Sequence, residues 1–120
     1  MAQDWPGLVQ DMNPQVAALR GLQPEVMKAF GQMAQAATAT NALDTRTKEL
    51  VALGISVAVR CDPCIAYHAK AAVKAGATEA EVAETLGLAV YMGAGPSAMY
   101  AAKALEAVRQ FGVAGGDKPA

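Results

Sequence analysis

Two cysteines and the only histidine of the chain lie within eight residues, in the order Cys61, Cys64 and His68. If these residues belong to one helix, the spacings i, i+3 and i, i+4 place all three side chains on one face. A thiol beside an imidazole can lose its proton, and the resulting thiolate attacks a peroxide or a disulfide. A second thiol one turn away then converts the oxidised sulfur into an internal disulfide. The pattern therefore predicts thiol–disulfide redox chemistry.

The same spacing predicts a role for each side chain. Cys64 lies at helical contact distance from His68, so we predict Cys64 as the nucleophile that becomes a sulfenic acid and His68 as its base. Cys61 is then the resolving thiol and proton donor. The opposite order, in which the first cysteine attacks as in thioredoxin, stays open. Asp62 carries a negative charge that opposes a thiolate, and Pro63 stiffens the loop between the sulfurs.

Glu49 is a fourth candidate, twelve residues before Cys61 and near the start of the preceding predicted helix. If it reaches the cysteines, its carboxylate orients His68 or relays protons through a water. The spacing alone does not bring it there. A first-turn carboxylate is also favoured by the helix dipole, so a purely structural role for Glu49 is the alternative.

Helix signals divide the chain into about six helices and no strand. Prolines suited to a first helical turn, an Asp44 N-cap and a Thr78–Glu81 capping box mark the starts, and the segment 93–96 is a break. The predicted helices cover 14–21, 24 to about 37, 45–59, 63–75, 79–92 and 97–111. The cysteine pair then lies at the N-terminus of a central helix, where partial positive charge favours a thiolate.

Length and composition bound the fold. The 120 residues suffice for one domain, which we expect to span 1–120. Hydrophobic residues make up 53% and charged residues 18%, and about a quarter of the chain is alanine, the strongest helix former. We therefore expect an all-α fold, a compact bundle packed through small side chains. The glycine-rich tail over 112–120 is expected to be flexible.

Charge and hydropathy exclude several partners. A net charge of −1 provides no basic excess for nucleic acid. No apolar run reaches the roughly 18 residues of a membrane span, and the N-terminus lacks the features of a signal peptide. We therefore expect a cytoplasmic protein without membrane contact. In that compartment a cysteine pair is seldom a structural disulfide.

The pattern Glu-x11-Cys-x2-Cys-x3-His resembles the alkylhydroperoxidase D-like members of the carboxymuconolactone decarboxylase family. The segment from Asp44 to Leu53 and the turn at 76–78 also resemble that family, and the resemblance covers about residues 40–107. The residues that match the pattern are Glu49, Cys61, Cys64 and His68.

The resemblance implies an all-α fold, homo-oligomers that are often trimers or hexamers, and antioxidant peroxidase or disulfide reductase activity. It implies no metal and no organic cofactor. It further implies that Glu49 and His68 relay protons to Cys64, and that Cys61 closes the disulfide. The expected partners are a hydroperoxide substrate and an unidentified dithiol reductant. Pro63 stands where the founding enzymes carry a histidine, so their physiological partners are not carried over.

Two other classes of function remain open. The cysteines and His68 offer three zinc ligands, with Glu49 as a fourth, so a non-catalytic, oligomeric or zinc-binding module is one alternative. The other is an enzyme of the same fold that acts on a small organic acid, as a decarboxylase does, for which an arginine or lysine in the site would be the sign. In either case a small chain with apolar helix faces is expected to form a homo-oligomer.

Overall fold

Five α-helices form the computed structural model, which describes residues 3–116. They are α1 (Trp5–Leu22), α2 (Pro24–Thr38), α3 (Thr45–Ala58), α4 (Asp62–Lys74) and α5 (Glu79–Gln110). Over residues 3–116 no strand forms, and an isolated bridge joins Thr78 to Ala114. The prediction of an all-α fold with the cysteine pair at the start of a central helix is confirmed.

Side-chain caps fix where the helices around the site begin. The Asp44 carboxylate accepts from the Thr47 N–H at 2.8 Å, and hydrogen bonds from Thr47 hold the pKa of Asp44 below its ordinary value. At α5, Thr78 Oγ1 accepts from the Glu81 N–H at 3.2 Å while Glu81 accepts from the Thr78 N–H at 2.9 Å. These starts agree with the caps predicted from the sequence.

The first helix is longer than the predicted 14–21, because it begins nine residues earlier and carries Pro14 in its interior. Asp4 caps it by accepting from the Gly7 N–H at 3.0 Å. Trp5 is fully buried, and its indole Nε1–H donates to Glu106 Oε1 at 2.7 Å. The start of α1 is thus fixed by docking on the end of α5, a long-range contact that outweighs the helix-start preference of Pro14.

The break predicted at 93–96 is present as a non-helical interruption within the span Glu79–Gln110, which is counted as one helix, α5, and gives five helices in place of about six. Ala94 has φ 53° and ψ −136°, a conformation outside the helical region that non-glycine residues seldom adopt. Pro96 follows and lacks the N–H that a helix interior requires. The sequence signal therefore identified the position of the interruption correctly.

Part of the tail expected to be flexible is packed against the body. Val113 is buried, and the Ala114 carbonyl accepts from the Glu79 N–H at 2.8 Å. The residues 112–116 therefore close over the start of α5, contrary to the expectation for this segment. Residues 117–120 lie outside the described part of the chain.

α4 occupies the centre and packs against α1, α3 and α5. The inner face of α4 is made mostly of alanine, whose methyl group lets a neighbouring helix come close. Its buried residues are Ile65, Ala66, Ala69 and Ala72. Larger fully buried side chains of α3 and α5 complete the core, among them Leu53, Val57, Val82 and Val108. This close packing brings side chains of α3 and α5 to the first turns of α4.

α2 differs from the other helices, because none of its residues is buried. It contacts only α1 and α3. Among residues 3–116, no helix combines the length and the apolar character that crossing a membrane requires.

Replacing one buried alanine of α4 with a larger residue tests the tight packing of this helix. Ala69 is fully buried, so Ala69→Leu is expected to lower the free energy of unfolding by about 1–3 kcal/mol, the usual cost of overpacking. Ala83→Leu, at an exposed position of α5, is the matched control. Urea unfolding at equal protein concentrations measures both variants. Equal losses of unfolding free energy in the two variants would contradict this tight packing.

Candidate functional site

The two cysteines lie at the first turn of α4 and are joined by a disulfide. Cys61 is the N-cap residue, and Cys64 follows with its Cα atom 5.2 Å from that of Cys61. This separation lies within the range that disulfides require. The local backbone therefore brings the two sulfurs together without help from another segment.

The backbone of α4 supports the two sulfurs differently. The Cys64 N–H donates to Cys61 Sγ at 3.2 Å, so Cys61 takes the place that a serine or aspartate oxygen occupies at most N-caps. A thiolate there gains from this donor and from the partial positive charge of the helix start. Cys64 has the side chain of His68 as its expected support. Attack by Cys61 would depend on the helix N-terminus, and attack by Cys64 would depend on His68. The roles of the two cysteines therefore remain predictions.

The fold brings Glu49 to His68, a contact that the sequence spacing could not establish. Glu49 is only 6% exposed, and its Oε1 lies 3.0 Å from Nδ1 of His68 across the contact between α3 and α4. An ionised carboxylate only accepts hydrogen bonds, so the imidazole donates from Nδ1 and its Nε2 can accept a proton. The His68 side chain is 36% exposed, which leaves it within reach of a substrate.

Two residues of α5 also reach the cysteine loop. Lys103 Nζ lies 3.1 Å and 3.3 Å from the two carboxylate oxygens of Asp62, the first residue of α4. The same ammonium group lies 4.8 Å from the centre of the Tyr100 ring. Sequence reasoning identified Asp62 but missed Lys103 and Tyr100. No local signal connects residues some forty positions apart, so only the packing of α5 on α4 reveals them.

A surface cavity of about 730 Å³ borders Glu49 and contains two cationic side chains, Arg46 and Lys74. An arginine or lysine at this place is the feature expected of an enzyme that acts on a small organic acid. Arg46, however, lies 3.4 Å from a Glu81 carboxylate oxygen and 3.9 Å from one of Asp44. The charge of Arg46 is engaged by these two groups, whereas Lys74 keeps a cationic side chain in the cavity.

The zinc alternative needs both cysteine sulfurs as ligands. In the structure the two sulfurs are bonded to each other, and Nδ1 of His68 faces Glu49. Within the described residues, no group of three or more histidine, cysteine, aspartate or glutamate side chains is arranged to hold a metal ion. With the disulfide formed, the two sulfurs are not free to act as zinc ligands.

The chain belongs to the carboxymuconolactone decarboxylase family, since the model of that family matches residues 24–107. That range includes α2 to α4, most of α5 and all four residues of the Glu-Cys-Cys-His pattern. The resemblance seen in the sequence is thereby confirmed.

Solved structures of two proteins of this family agree with the assignment. The chain is 50% identical to a carboxymuconolactone decarboxylase family protein from Legionella pneumophila, with a TM-score of 0.87 over 89% of this chain and 96% of that one. It is 32% identical to a family protein from Thermotoga maritima, for which involvement in an antioxidative response has been suggested, with a TM-score of 0.67 over 79% and 86% of the two chains. An uncharacterized protein of Cupriavidus necator is 39% identical over 105 residues, which cover 88% of this chain and 93% of that protein.

The contact between Glu49 and His68 predicts the tautomer of the imidazole. Because the chain has one histidine, its two ring nitrogens can be followed by NMR without ambiguity. We expect the neutral ring to carry its proton on Nδ1, and Glu49→Leu to move it mainly to Nε2 because the acceptor is lost. Glu84→Leu, at an exposed position, should leave the tautomer unchanged. An Nε2-protonated ring in the unmodified protein would contradict the proposed hydrogen bond.

Proposed function

We propose that the protein is a cytoplasmic, cofactor-free dithiol oxidoreductase that reduces hydroperoxides or disulfides. One arrangement carries this proposal: a Cys61–Cys64 disulfide at a helix N-terminus, followed one turn later by His68 hydrogen-bonded to the buried Glu49. A buried carboxylate fixes the orientation of an imidazole and stabilises its protonated form, which is the support that a proton-transferring histidine needs.

The first half of the reaction oxidises Cys64. Its thiol gives a proton to Nε2 of His68, and the thiolate attacks the terminal oxygen of the hydroperoxide. The O–O bond breaks, the alcohol leaves with the proton returned by His68, and Cys64 becomes a sulfenic acid. During these steps Glu49 stabilises the imidazolium through its contact with Nδ1.

The second half closes and then reopens the disulfide. The sulfur of Cys61 attacks Cys64, the S–S bond forms, and the sulfenic hydroxyl leaves as water with the Cys61 proton. Two electrons have then passed from the dithiol to the peroxide. An external dithiol restores the reduced pair by exchange through a mixed disulfide and becomes a disulfide itself.

Substitution of each cysteine separately tests this sequence of steps. Cys64→Ser is expected to abolish hydroperoxide reduction in the presence of dithiothreitol, and His68→Ala to slow it by roughly 10²-fold, as expected for loss of a general base. In the unmodified protein, first reduced and freed of reductant, one equivalent of hydroperoxide should remove two thiols and lower the intact mass by about 2 Da.

Cys61→Ser is the matched control for Cys64→Ser. It keeps the attacking sulfur, so after reduction and removal of dithiothreitol it should react once with hydroperoxide and stop as a sulfenic acid on Cys64, with an intact mass greater by one oxygen. A sulfenic acid on Cys61 in Cys64→Ser would reverse the order of the two sulfurs. Full turnover by Cys64→Ser, or thiols that stay unchanged under hydroperoxide and disulfide substrates alike, would overturn the proposed function.

We further propose that the protein works as a homo-oligomer, a trimer or a hexamer, in which α2 of one copy covers another copy. Large apolar side chains recur along one face of α2 and the end of α1, and each is between 56% and 76% exposed. They are Leu22, Val26, Phe30 and Met33, and we call this set the α2 stripe. α2 contacts α1 and α3, but none of its residues is buried, so its apolar face is open to a partner.

An apolar groove of about 540 Å³ between α3 and the first half of α5 is a suitable place for the α2 stripe of a second copy. Its apolar lining includes four side chains that are between 50% and 76% exposed. They are Val51, Ile55, Leu88 and Met92. Because each subunit carries both a stripe and a groove, exchange between copies covers both kinds of surface in every subunit.

The solvent-exposed area of the chain is large enough to include an interface with a second copy. The chain exposes 7447 Å², whereas a folded monomer of 12.3 kDa exposes about 6,100 Å². The difference of about 1,300 Å² exceeds the roughly 800 Å² that each partner contributes to a typical stable interface. A second copy supplies that area without requiring any other protein.

A charge in the α2 stripe should dissociate the assembly. We expect Phe30→Asp to lower the mass measured by light scattering after gel filtration, because it buries an unpaired carboxylate at the proposed interface. Gln35→Asp adds the same charge on the opposite face of α2 and should leave the mass unchanged. Circular dichroism checks that both variants are folded. An unchanged mass for Phe30→Asp, or an unmodified protein of 12.3 kDa, would contradict the assembly.

A further inference from the structure

Asp62 places a negative charge at the start of α4, beside the disulfide. It is the first residue of that helix and lies directly between the two cysteines in sequence. A carboxylate there stabilises the helix by interacting with its partial positive charge. The same carboxylate opposes any thiolate on Cys61 or Cys64, because it partly cancels that positive charge and repels the sulfur anion.

Lys103 compensates for this charge from the neighbouring helix. Its ammonium group contacts both carboxylate oxygens of Asp62, at 3.1 Å and 3.3 Å, and lies over the ring of Tyr100 one turn earlier in α5. The ring confines the ammonium group to a position facing the cysteine loop. The lysine and aspartate side chains are 44% and 35% exposed, so the pair is worth little as a stabilising salt bridge.

We propose that Lys103 is a positioning residue for the dithiol. It holds Asp62 and cancels the charge of that carboxylate, and it thereby stabilises the reduced pair relative to the disulfide. This inference rests on the proposed redox function. The disulfide is neutral, whereas the reduced pair can carry a thiolate, so a nearby positive charge stabilises only the reduced form. Loss of Lys103 leaves the Asp62 charge uncompensated and shifts the exchange equilibrium toward the disulfide.

The experiment measures the equilibrium constant for reduction of the disulfide by dithiothreitol at pH 8, where thiolates are populated. We expect Lys103→Met to lower this constant by about threefold to tenfold; tenfold corresponds to about 30 mV in reduction potential. Lys103→Arg keeps the charge and should stay close to the unmodified protein. Asp62→Asn removes the opposing charge and should raise the constant.

The double variant distinguishes charge compensation from a structural effect of Lys103. In an Asp62→Asn background, Lys103→Met should change the constant by less than it does alone, because the carboxylate it compensates is absent. Thiolate absorbance near 240 nm gives a second readout, in which the thiol pKa should rise in Lys103→Met.

Two results separate the inference from the proposed function. An active dithiol whose exchange constant is the same in Lys103→Met as in the unmodified protein overturns the role of Lys103 and leaves the redox function intact. The same fall in both backgrounds also overturns it, since the effect would then not pass through Asp62. A pair that does not exchange with dithiothreitol in the unmodified, folded protein overturns the redox function and the inference together.

Discussion

The close approach of α4 to its neighbours is the constraint on which the rest of the structure depends. The buried face of α4 carries Ala66, Ala69 and Ala72, so the backbones of α3 and α5 can come close to it. With α3 packed on α4, Oε1 of Glu49 lies 3.0 Å from Nδ1 of His68 on the next helix. Larger residues on this face are expected to push the two helices apart and to weaken this hydrogen bond.

The site is consequently built from one helix and completed by two others. α4 supplies both sulfurs, the imidazole and the positive charge of its N-terminus. α3 supplies the buried carboxylate of Glu49, and α5 supplies the Lys103 ammonium group on the other charged residue of the loop, Asp62. The Lys103 ammonium group offsets the charge of Asp62, whereas the Glu49 carboxylate accepts the Nδ1–H of His68.

The difference between the predicted and the observed start of α1 has a tertiary cause. Pro14 is a good local signal for a helix start, yet Trp5 buries its ring and bonds to α5, so α1 starts earlier. By contrast, the glycine and proline residues at 93–96 favour a break, and the helical backbone is interrupted there at Ala94, within the span of α5. Local preferences of about one kcal/mol are easily outweighed by a buried aromatic side chain.

The sequence by itself determined the helical class, the starts of α2 to α5, and the placement of Cys64 and His68 on one helix that begins at Cys61, because caps and i, i+4 spacing act between near neighbours. It also singled out Glu49, and the family resemblance implied that Glu49 acts with His68, although no local spacing gave their contact. Only the tertiary structure decided that Glu49 meets His68 and that Lys103 meets the cysteine loop. These contacts join residues 19 and 41 positions apart, and helix packing, which no local pattern encodes, sets their distances.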